Sequence, residues 1–319
     1  MKKTSKCDFL IIGAGGTGLS SAMYAARLGL KTLVLGTSHG SELPIGGVIT
    51  TTDSVENFPG FKRISGMELI KKIEGQARSY KLVTIKEERA LKIERKKDCF
   101  FVKTNKGTYQ ARTILLATGT KWRKLDVPGS LKFERHGVNY CALCDAPLYR
   151  NKVAAVIGSG DSAVKEALLL AEYAKKVYLI VRGEKVHPEP VNLERLKKNK
   201  KIEVVLKTQI TEIRGDNTVN KVIIDNPYKG KKELSLDGVF VAIGHIPISD
   251  LAKSAGVKLN EKGEIIIDYE TAETNVKGIF AAGDVTDKKF KQLIIGVADG
   301  CSAAYHAYEY ITKNKVITC

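Results

Sequence analysis

The chain is short of the residues that make a metal protein, a membrane protein or a disulfide scaffold. It has six cysteines and five histidines in 319 residues. A structural zinc needs four ligands, usually from a second C-x-x-C or a histidine pair beside the first. Here only Cys141 and Cys144 are separated by two residues, whereas Cys7, Cys99, Cys301 and Cys319 are scattered singly. His39, His136, His187, His245 and His306 never fall at ligand spacing, so no metal site is expected. Apolar runs are short as well, none approaching the ~20 residues that span a bilayer. Met1-Lys2-Lys3 ahead of Phe9-Leu10-Ile11-Ile12 has the outline of a signal peptide. The apolar run is too brief, however, and passes straight into a glycine-rich turn, so it reads as a buried first strand and a cytoplasmic location is expected.

Hydrophobic and charged fractions of 43% and 27% belong to a globular chain rather than a disordered or fibrous one. The length suits two domains, each with its own core. The net charge of +17 fits a basic nucleic-acid-binding protein, the non-enzymatic alternative. Against it, the lysines are spread along the chain, and Lys197-Lys198-Asn199-Lys200-Lys201 stands where a helix should end, a place that favours cations. No aromatics interleave with them as a single-strand binder requires.

What is present is organised around Tyr140-Cys141-Ala142-Leu143-Cys144-Asp145. Two cysteines at this spacing can close a small disulfide ring, and thiol–disulfide exchange needs a neighbour that handles protons, here Asp145. A nucleotide-binding signature lies on either side. Phe9 to Ile12 is a continuous apolar strand, followed by Gly13-Ala14-Gly15-Gly16-Thr17-Gly18, a helix from Thr17 to Leu28 and the strand Thr32 to Leu35. The first glycine of such a G-x-G-x-x-G permits the turn, the second lets backbone approach a pyrophosphate, and the third allows close helix–strand packing. The acidic residue expected at the end of the second strand is missing, for Gly36 stands there, leaving Ser38 or Glu42 as substitutes.

A helix is predicted from Gly66 to Tyr80. Leu82-Val83, Ala90 to Ile93 and Phe100 to Val102 read as an antiparallel layer, and Arg112 to Leu116 as a further strand. Gly46 to Gly60 is a glycine- and hydroxyl-rich loop, either against a ligand or a surface connection. Beyond the cysteines, Val153 to Ile157, Gly158-Ser159-Gly160-Asp161-Ser162-Ala163, a helix to Tyr173 and the strand Val177 to Val181 repeat the whole strand–turn–helix–strand unit. Two such units imply two nucleotides. Gly278 to Asp284 reads as a strand closed by a glycine and an acid, and a final amphipathic helix is predicted from Gly300 to Ile311.

GAGGTG, GGVITTT…VENFPG, LLATGT, YCALCD, GSGDSA, VFVAIGHIP and GIFAAGDV follow one another along essentially the whole chain. In this order they resemble the low-molecular-weight thioredoxin reductases of the pyridine nucleotide–disulfide oxidoreductase superfamily. The resemblance implies an α/β fold of two Rossmann-like, three-layer ββα domains. An NAD(P)-binding domain carrying the C-x-x-C (122–244) would be inserted into a discontinuous FAD-binding domain (1–121 and 245–319). The resemblance implies no C-terminal dimerisation domain of the kind that glutathione reductase-like relatives carry. By resemblance, FAD is held by Gly13, Gly15, Gly18, Gly47, Asn57, Thr118, Gly119, Asp284 and Gln292. NADPH or NADH is held by Gly158, Gly160, Ser162, Ala163 and Arg182. Cys144 is the thiol beside the flavin, Cys141 forms the mixed disulfide with a thioredoxin- or glutaredoxin-like protein, and Asp145 moves the thiol protons. The resemblance further implies a homodimer whose domains rotate between a flavin-reducing and a disulfide-exchanging arrangement. His245 lies within a matched motif but reads as a histidine packed in a turn.

The departures bear on the electron donor. Members selective for NADPH carry two adjacent arginines and a third a few residues on, whereas this chain reads Val181-Arg182-Gly183-Glu184-Lys185-Val186-His187. Paired guanidinium contacts normally hold a 2′-phosphate. Arg182 alone survives, with Lys185 to assist and Glu184 to repel. Lys291-Gln292 stands where Arg-Gln is usual. NADPH is preferred narrowly over NADH. The alternatives are a family member fed by another donor, one acting on a small disulfide, and a small-dithiol oxidase that makes peroxide.

Overall fold

The computed structural model describes residues 5–36, 45–52 and 55–313, so His39, Ser38, Glu42 and Cys319 lie outside the described residues. The chain folds as two compact units, Met1–Lys121 with Ile246–Cys319, and Trp122–His245.

In the first unit, β1 (Ser5–Ile12) lies between β2 (Thr32–Gly36) and β6 (Thr108–Leu116), parallel to both. Phe9, Leu10 and Ile11 are fully buried because a central parallel strand is covered on both faces. Helix α1 (Gly16–Arg27) returns the chain to β2. Helix α2 (Gly66–Arg78) is started by Ser65, whose hydroxyl accepts from the Glu68 amide at 3.2 Å in an S-x-x-E pattern. It leads to β3 (Val83–Glu87), which pairs in parallel with β2. Leu82-Val83 therefore does not open an antiparallel layer. A polar edge strand after a helix looks the same in sequence whichever way it pairs. The antiparallel meander begins only at β4 (Ala90–Lys96) and runs through β5 (Cys99–Thr104) to β6.

The chain then passes through β7 (Thr120–Trp122) into the second unit. There β8 (Val138–Asn139), β9 (Val153–Ile157), β10 (Lys176–Ile180), β11 (Ile202–Val205) and, later, β15 (Gly238–Val241) form a parallel sheet of order β11-β10-β9-β15-β8. Helices α3 (Ala142–Asp145), α4 (Asp161–Tyr173) and α5 (Pro190–Lys198) connect these strands. The last turn of α5 carries Arg195, Lys197 and Lys198, so part of the basic run serves as a helix ending. An antiparallel sheet, β12 (Ile210–Gly215), β13 (Val219–Tyr228) and β14 (Lys231–Ser235), supplies the third layer. The chain returns through β16 (His245–Pro247), in which His245 is half-buried, to α6 (Asp250–Ser254), β17 (Ile279–Ala281) and α7 (Leu293–Lys313).

Both units are three-layer. In the first, one face of the sheet packs on Ala22 and Ala25 of α1 and Ala303 and Ala307 of α7. The opposite face packs on Phe100 and Val102 of the meander and on Ala252 and Ile265. In the second, α4 covers one face through Ala163, Ala167 and Leu170, and β12–β14 cover the other through Ile213, Val222 and Leu234. Helix α7 starts earlier than its sequence pattern suggests because Gly296 and Gly300 sit inside it. A Cβ at Gly300 would lie 2.4 Å from the Thr17 carbonyl oxygen, so those glycines let α7 cross α1 at close range. Among the described residues no helix is long and apolar enough to cross a membrane.

Glu203 fastens two layers of the second unit. From β11, its carboxylate is bound by Lys176 on β10 and by Tyr228 and Lys229 at the β13–β14 turn. Bonds from Lys176, then Lys229 and Tyr228, pull its pKa from 4.5 to about 2. A depressed carboxyl stabilises the fold above its unfolded value and loses that contribution as pH falls through its folded value. Glu203→Gln is expected to melt lower than the parent at pH 7, with the two converging as pH falls from 4.5 to about 2. A gap constant across that range in calorimetry would refute this role.

Candidate active site

The two glycine turns have the same local geometry. Gly15 caps α1 at φ −84°, ψ −178°, and Gly160 caps α4 at φ −83°, ψ −178°; neither helix start receives a side-chain cap. Their first-turn amides are therefore turned outward as donors, which is the chemistry of a pyrophosphate site. At the first turn, Gly13 has φ +120°, and a Cβ there would stand 2.0 Å from the Ala117 oxygen. A Cβ at Gly18 would stand 1.9 Å from the Gly13 oxygen, so turn, helix and strand end are packed backbone to backbone. At the second turn, Gly158 is closed in the same way by the Ala242 oxygen at 2.3 Å, whereas nothing lies within 4 Å of a Cβ at Gly160. The second cradle is open where a ligand's phosphates would approach and tight where the scaffold meets itself.

Other predicted residues of the first unit gather around its turn. Gly46 bridges to Gly15 and donates its amide to the Ala14 oxygen at 2.9 Å. The glycine-rich loop thus lies against the turn rather than serving as a plain surface connection. Gly47 takes φ +75° and caps the 3₁₀ turn Val48–Thr51. The Asn57 amide donates to the Gln292 side-chain oxygen at 3.0 Å, joining two residues far apart in sequence. Gln292 shares a small cleft with Gly283, Asp284, Lys291 and Gly296. Thr118 instead donates its hydroxyl to the Ile248 oxygen at 2.6 Å, and Gly119 beside it takes φ +64° with open space around it.

In the second unit, Ser162 and Arg182 are exposed and Ala163 is buried. Asp161, in the first turn of α4, accepts from the Glu189 amide and the Asn192 side chain, each at 2.8 Å, and pairs with Lys165 at 2.7 Å. Burial opposes its ionisation, but the bonds from Lys165, Asn192 and Glu189 outweigh it and hold the carboxyl below its ordinary range. This network keeps an acid at the helix start turned toward α5. Glu184 pairs with Lys207 at 2.8 Å.

Sequence reasoning missed Asp161's partners and the tether of Lys291, which pairs with Glu264 and donates to the Asp284 oxygen at 3.0 Å. Neither leaves a pattern in sequence. The Gly296/Gly300 spacing does, since glycines four apart on a helix mark a close crossing.

Cys141 and Cys144 form a disulfide with Cα atoms 5.4 Å apart. Cys141 is the N-cap of α3, is 6% exposed, and accepts the Cys144 amide on its sulfur at 3.1 Å, while Cys144 is exposed. Asp145 is half-buried, and burial raises its carboxyl pKa. Among the described residues, the two free thiols are not poised for chemistry. Burial pushes Cys7 up to about 12 and Cys301 up to about 11. Cys99 is itself disulfide-bonded.

A family model described as pyridine nucleotide-disulphide oxidoreductase matches residues 7–300. The chain belongs to this family. It is 39% identical over 307 residues to the thioredoxin reductase of Treponema pallidum, covering 95% of this chain and 97% of that protein. The structure of Lactococcus lactis thioredoxin reductase matches with a TM-score of 0.90 at 35% identity, over 96% of this chain and 99% of that one. A ferredoxin-flavin thioredoxin reductase from Clostridium acetobutylicum matches with a TM-score of 0.53 at 31% identity, over 98% of this chain and 100% of that one. The expectation of two Rossmann-like domains holds, as does the resemblance to low-molecular-weight thioredoxin reductases. As a pyridine nucleotide-disulphide oxidoreductase, the chain is a flavin-dependent enzyme, and its family implies FAD and a nicotinamide cofactor.

Proposed function

We propose that this chain is a thioredoxin-disulfide reductase that uses a nicotinamide nucleotide to reduce the disulfide of a thioredoxin- or glutaredoxin-like protein. The observation that carries this reading is the Cys141–Cys144 disulfide, set directly before the strand of an uncapped glycine turn. The uncapped helix start at Gly15 and its neighbours Gly13, Gly18, Gly47, Asn57, Asp284 and Gln292 would hold FAD, with Thr118 and Gly119 at the next strand end. Gly158, Gly160, Ser162, Ala163 and Arg182 would hold the nucleotide. Bound FAD supplies the two-electron relay between nucleotide and disulfide.

Two electrons and two protons convert the Cys141–Cys144 disulfide to a dithiol. The Cys144 amide that donates to the Cys141 sulfur favours a thiolate there, so Cys141 is the attacking nucleophile. Its attack on a partner disulfide breaks that bond and forms a mixed disulfide. The released partner thiolate takes its proton from Asp145, whose half-buried carboxyl holds one more readily than an exposed aspartate. Cys144 then attacks the mixed disulfide, releasing the partner's second thiol and re-forming the Cys141–Cys144 bond. Cys141 is buried, so the exchange requires it to be uncovered. Exposed Leu148, four residues past Cys144, offers an apolar contact to the partner protein. The reading also takes the enzyme to be a cytoplasmic homodimer.

NADPH is the favoured donor. Glu184, the residue that would repel a 2′-phosphate, is ion-paired to Lys207, leaving Arg182 and Lys185 to receive it. The test is anaerobic mixing of the flavin-loaded protein with NADPH and, separately, NADH, following flavin bleaching. Faster bleaching by NADPH is expected, and faster bleaching by NADH would reverse the donor. No bleaching by either would point to a different donor. The missing arginine pair favours that second reading, and the Clostridium acetobutylicum relative is named for ferredoxin.

A further inference from the structure

Rossmann-type sites ordinarily hold a ribose hydroxyl with an acid at the end of the second strand. In this chain that position cannot carry one. A Cβ at Gly36 would stand 2.3 Å from the Ala14 Cβ, inside the dinucleotide turn itself. Any side chain there would force the turn away from the strand end. The need for a ribose acceptor remains, because the uncapped start of α1 behind the glycine turn fits a dinucleotide.

The next strand supplies a carboxylate in register. Gly36 pairs with Glu87 in the parallel β2–β3 ladder, and the Glu88 amide donates to the Gly36 oxygen at 2.8 Å. Side chains of register partners on adjacent strands share a face of the sheet. On β3, Val83 and Ile85 pack on the α1 face, and strand alternation places Glu87 on that same face. Glu88 and Lys86 point the other way, to Tyr109: Glu88 accepts from the Tyr109 and Thr104 hydroxyls at 2.7 Å each and is buried. The two adjacent acids are thus divided, Glu88 into a closed polar cluster and Glu87 to an exposed position at the carboxyl end of its strand. Open α/β sheets bind nucleotides at that end.

We propose that Glu87 is the residue that accepts hydrogen bonds from the adenosine ribose of bound FAD, one strand removed from the usual position. The proposal rests on the assignment of FAD to the first unit. Steric closure at Gly36 moves the acceptor sideways, and the β2–β3 register keeps it on the ligand's side of the sheet.

The test is FAD affinity rather than turnover. Apo-protein is titrated with FAD, following quenching of flavin fluorescence, for the parent, Glu87→Gln, Glu87→Asp and Glu42→Gln, with melting curves of each apo form. Loss of a charge-assisted bond is expected to weaken FAD about tenfold or more in Glu87→Gln. Glu87→Asp should recover part of the loss, and the apo melting curves separate a loss of FAD affinity from a loss of fold. Equal FAD affinity in Glu87→Gln and the parent would overturn the proposal, as would a loss confined to Glu42→Gln. A parent protein that binds no FAD would instead overturn the cofactor assignment itself, and the two failures are therefore distinct.

Discussion

Replacing Cys144 by serine is expected to abolish protein-disulfide reduction while leaving FAD bound. The loss should be about a thousandfold or more, because a covalent step is removed rather than weakened. The proposed flavin cradle is built from backbone contacts within the first unit, and Cys144 belongs to the second. Flavin reduction by the nucleotide should therefore change by no more than a few-fold. The variant also reports the order of attack. With Cys141 the nucleophile, Cys144→Ser retains the attacking sulfur but cannot resolve the mixed disulfide, so a covalent adduct should accumulate when the variant is mixed with oxidised thioredoxin in the absence of other thiols. Gel electrophoresis without reductant would show it. Adduct formation by Cys141→Ser instead would reverse the two roles, and loss of FAD with activity intact would defeat the proposed function.

The second large effect is expected at Gly13→Ala. The methyl group would meet the Ala117 oxygen at 2.0 Å, in a backbone with φ +120° that side chains rarely adopt. The strained conformation costs about 1–3 kcal/mol, and overpacking adds a similar amount. The sum is a large share of the stability of an ordinary domain. Melting temperature and FAD content should fall together, because the same turn joins β1, α1 and the end of β6. Gly119→Ala is the control. It also has positive φ, at +64°, but nothing lies within 4 Å of its Cβ. A cost of about 1–2 kcal/mol is expected there. Equal melting temperatures for the two variants would show that the close packing at Gly13 carries no weight.

Much of this architecture was legible in the chain because its signals are local. An apolar strand, a glycine turn and a helix at fixed spacing describe one continuous stretch of backbone, and both copies fold as read. Pairing direction is not local. Leu82-Val83 carries strand character, but only the position of β2 makes β3 parallel. Residues joined across long separations were also beyond reach as contacts, such as Asn57 to Gln292 and Lys291 to Glu264. Gly36 was legible as a missing acid but not as a necessity, since the reason is the Ala14 methyl group packed against it.

The crossing of α7 over α1 has a consequence for synthesis on the ribosome. The strand–turn–helix that opens the first unit is completed by α7 and by β17, which pairs with β6. Both emerge only after the contiguous second unit has been made. Vectorial translation thus delivers the second unit whole while the first still lacks one strand and one covering helix. The glycines at the crossing let the late helix dock on a finished turn without displacing it. Until then, nascent β6 presents an unpaired edge beside apolar residues that α7 will later cover, and such an exposed edge is open to aberrant pairing.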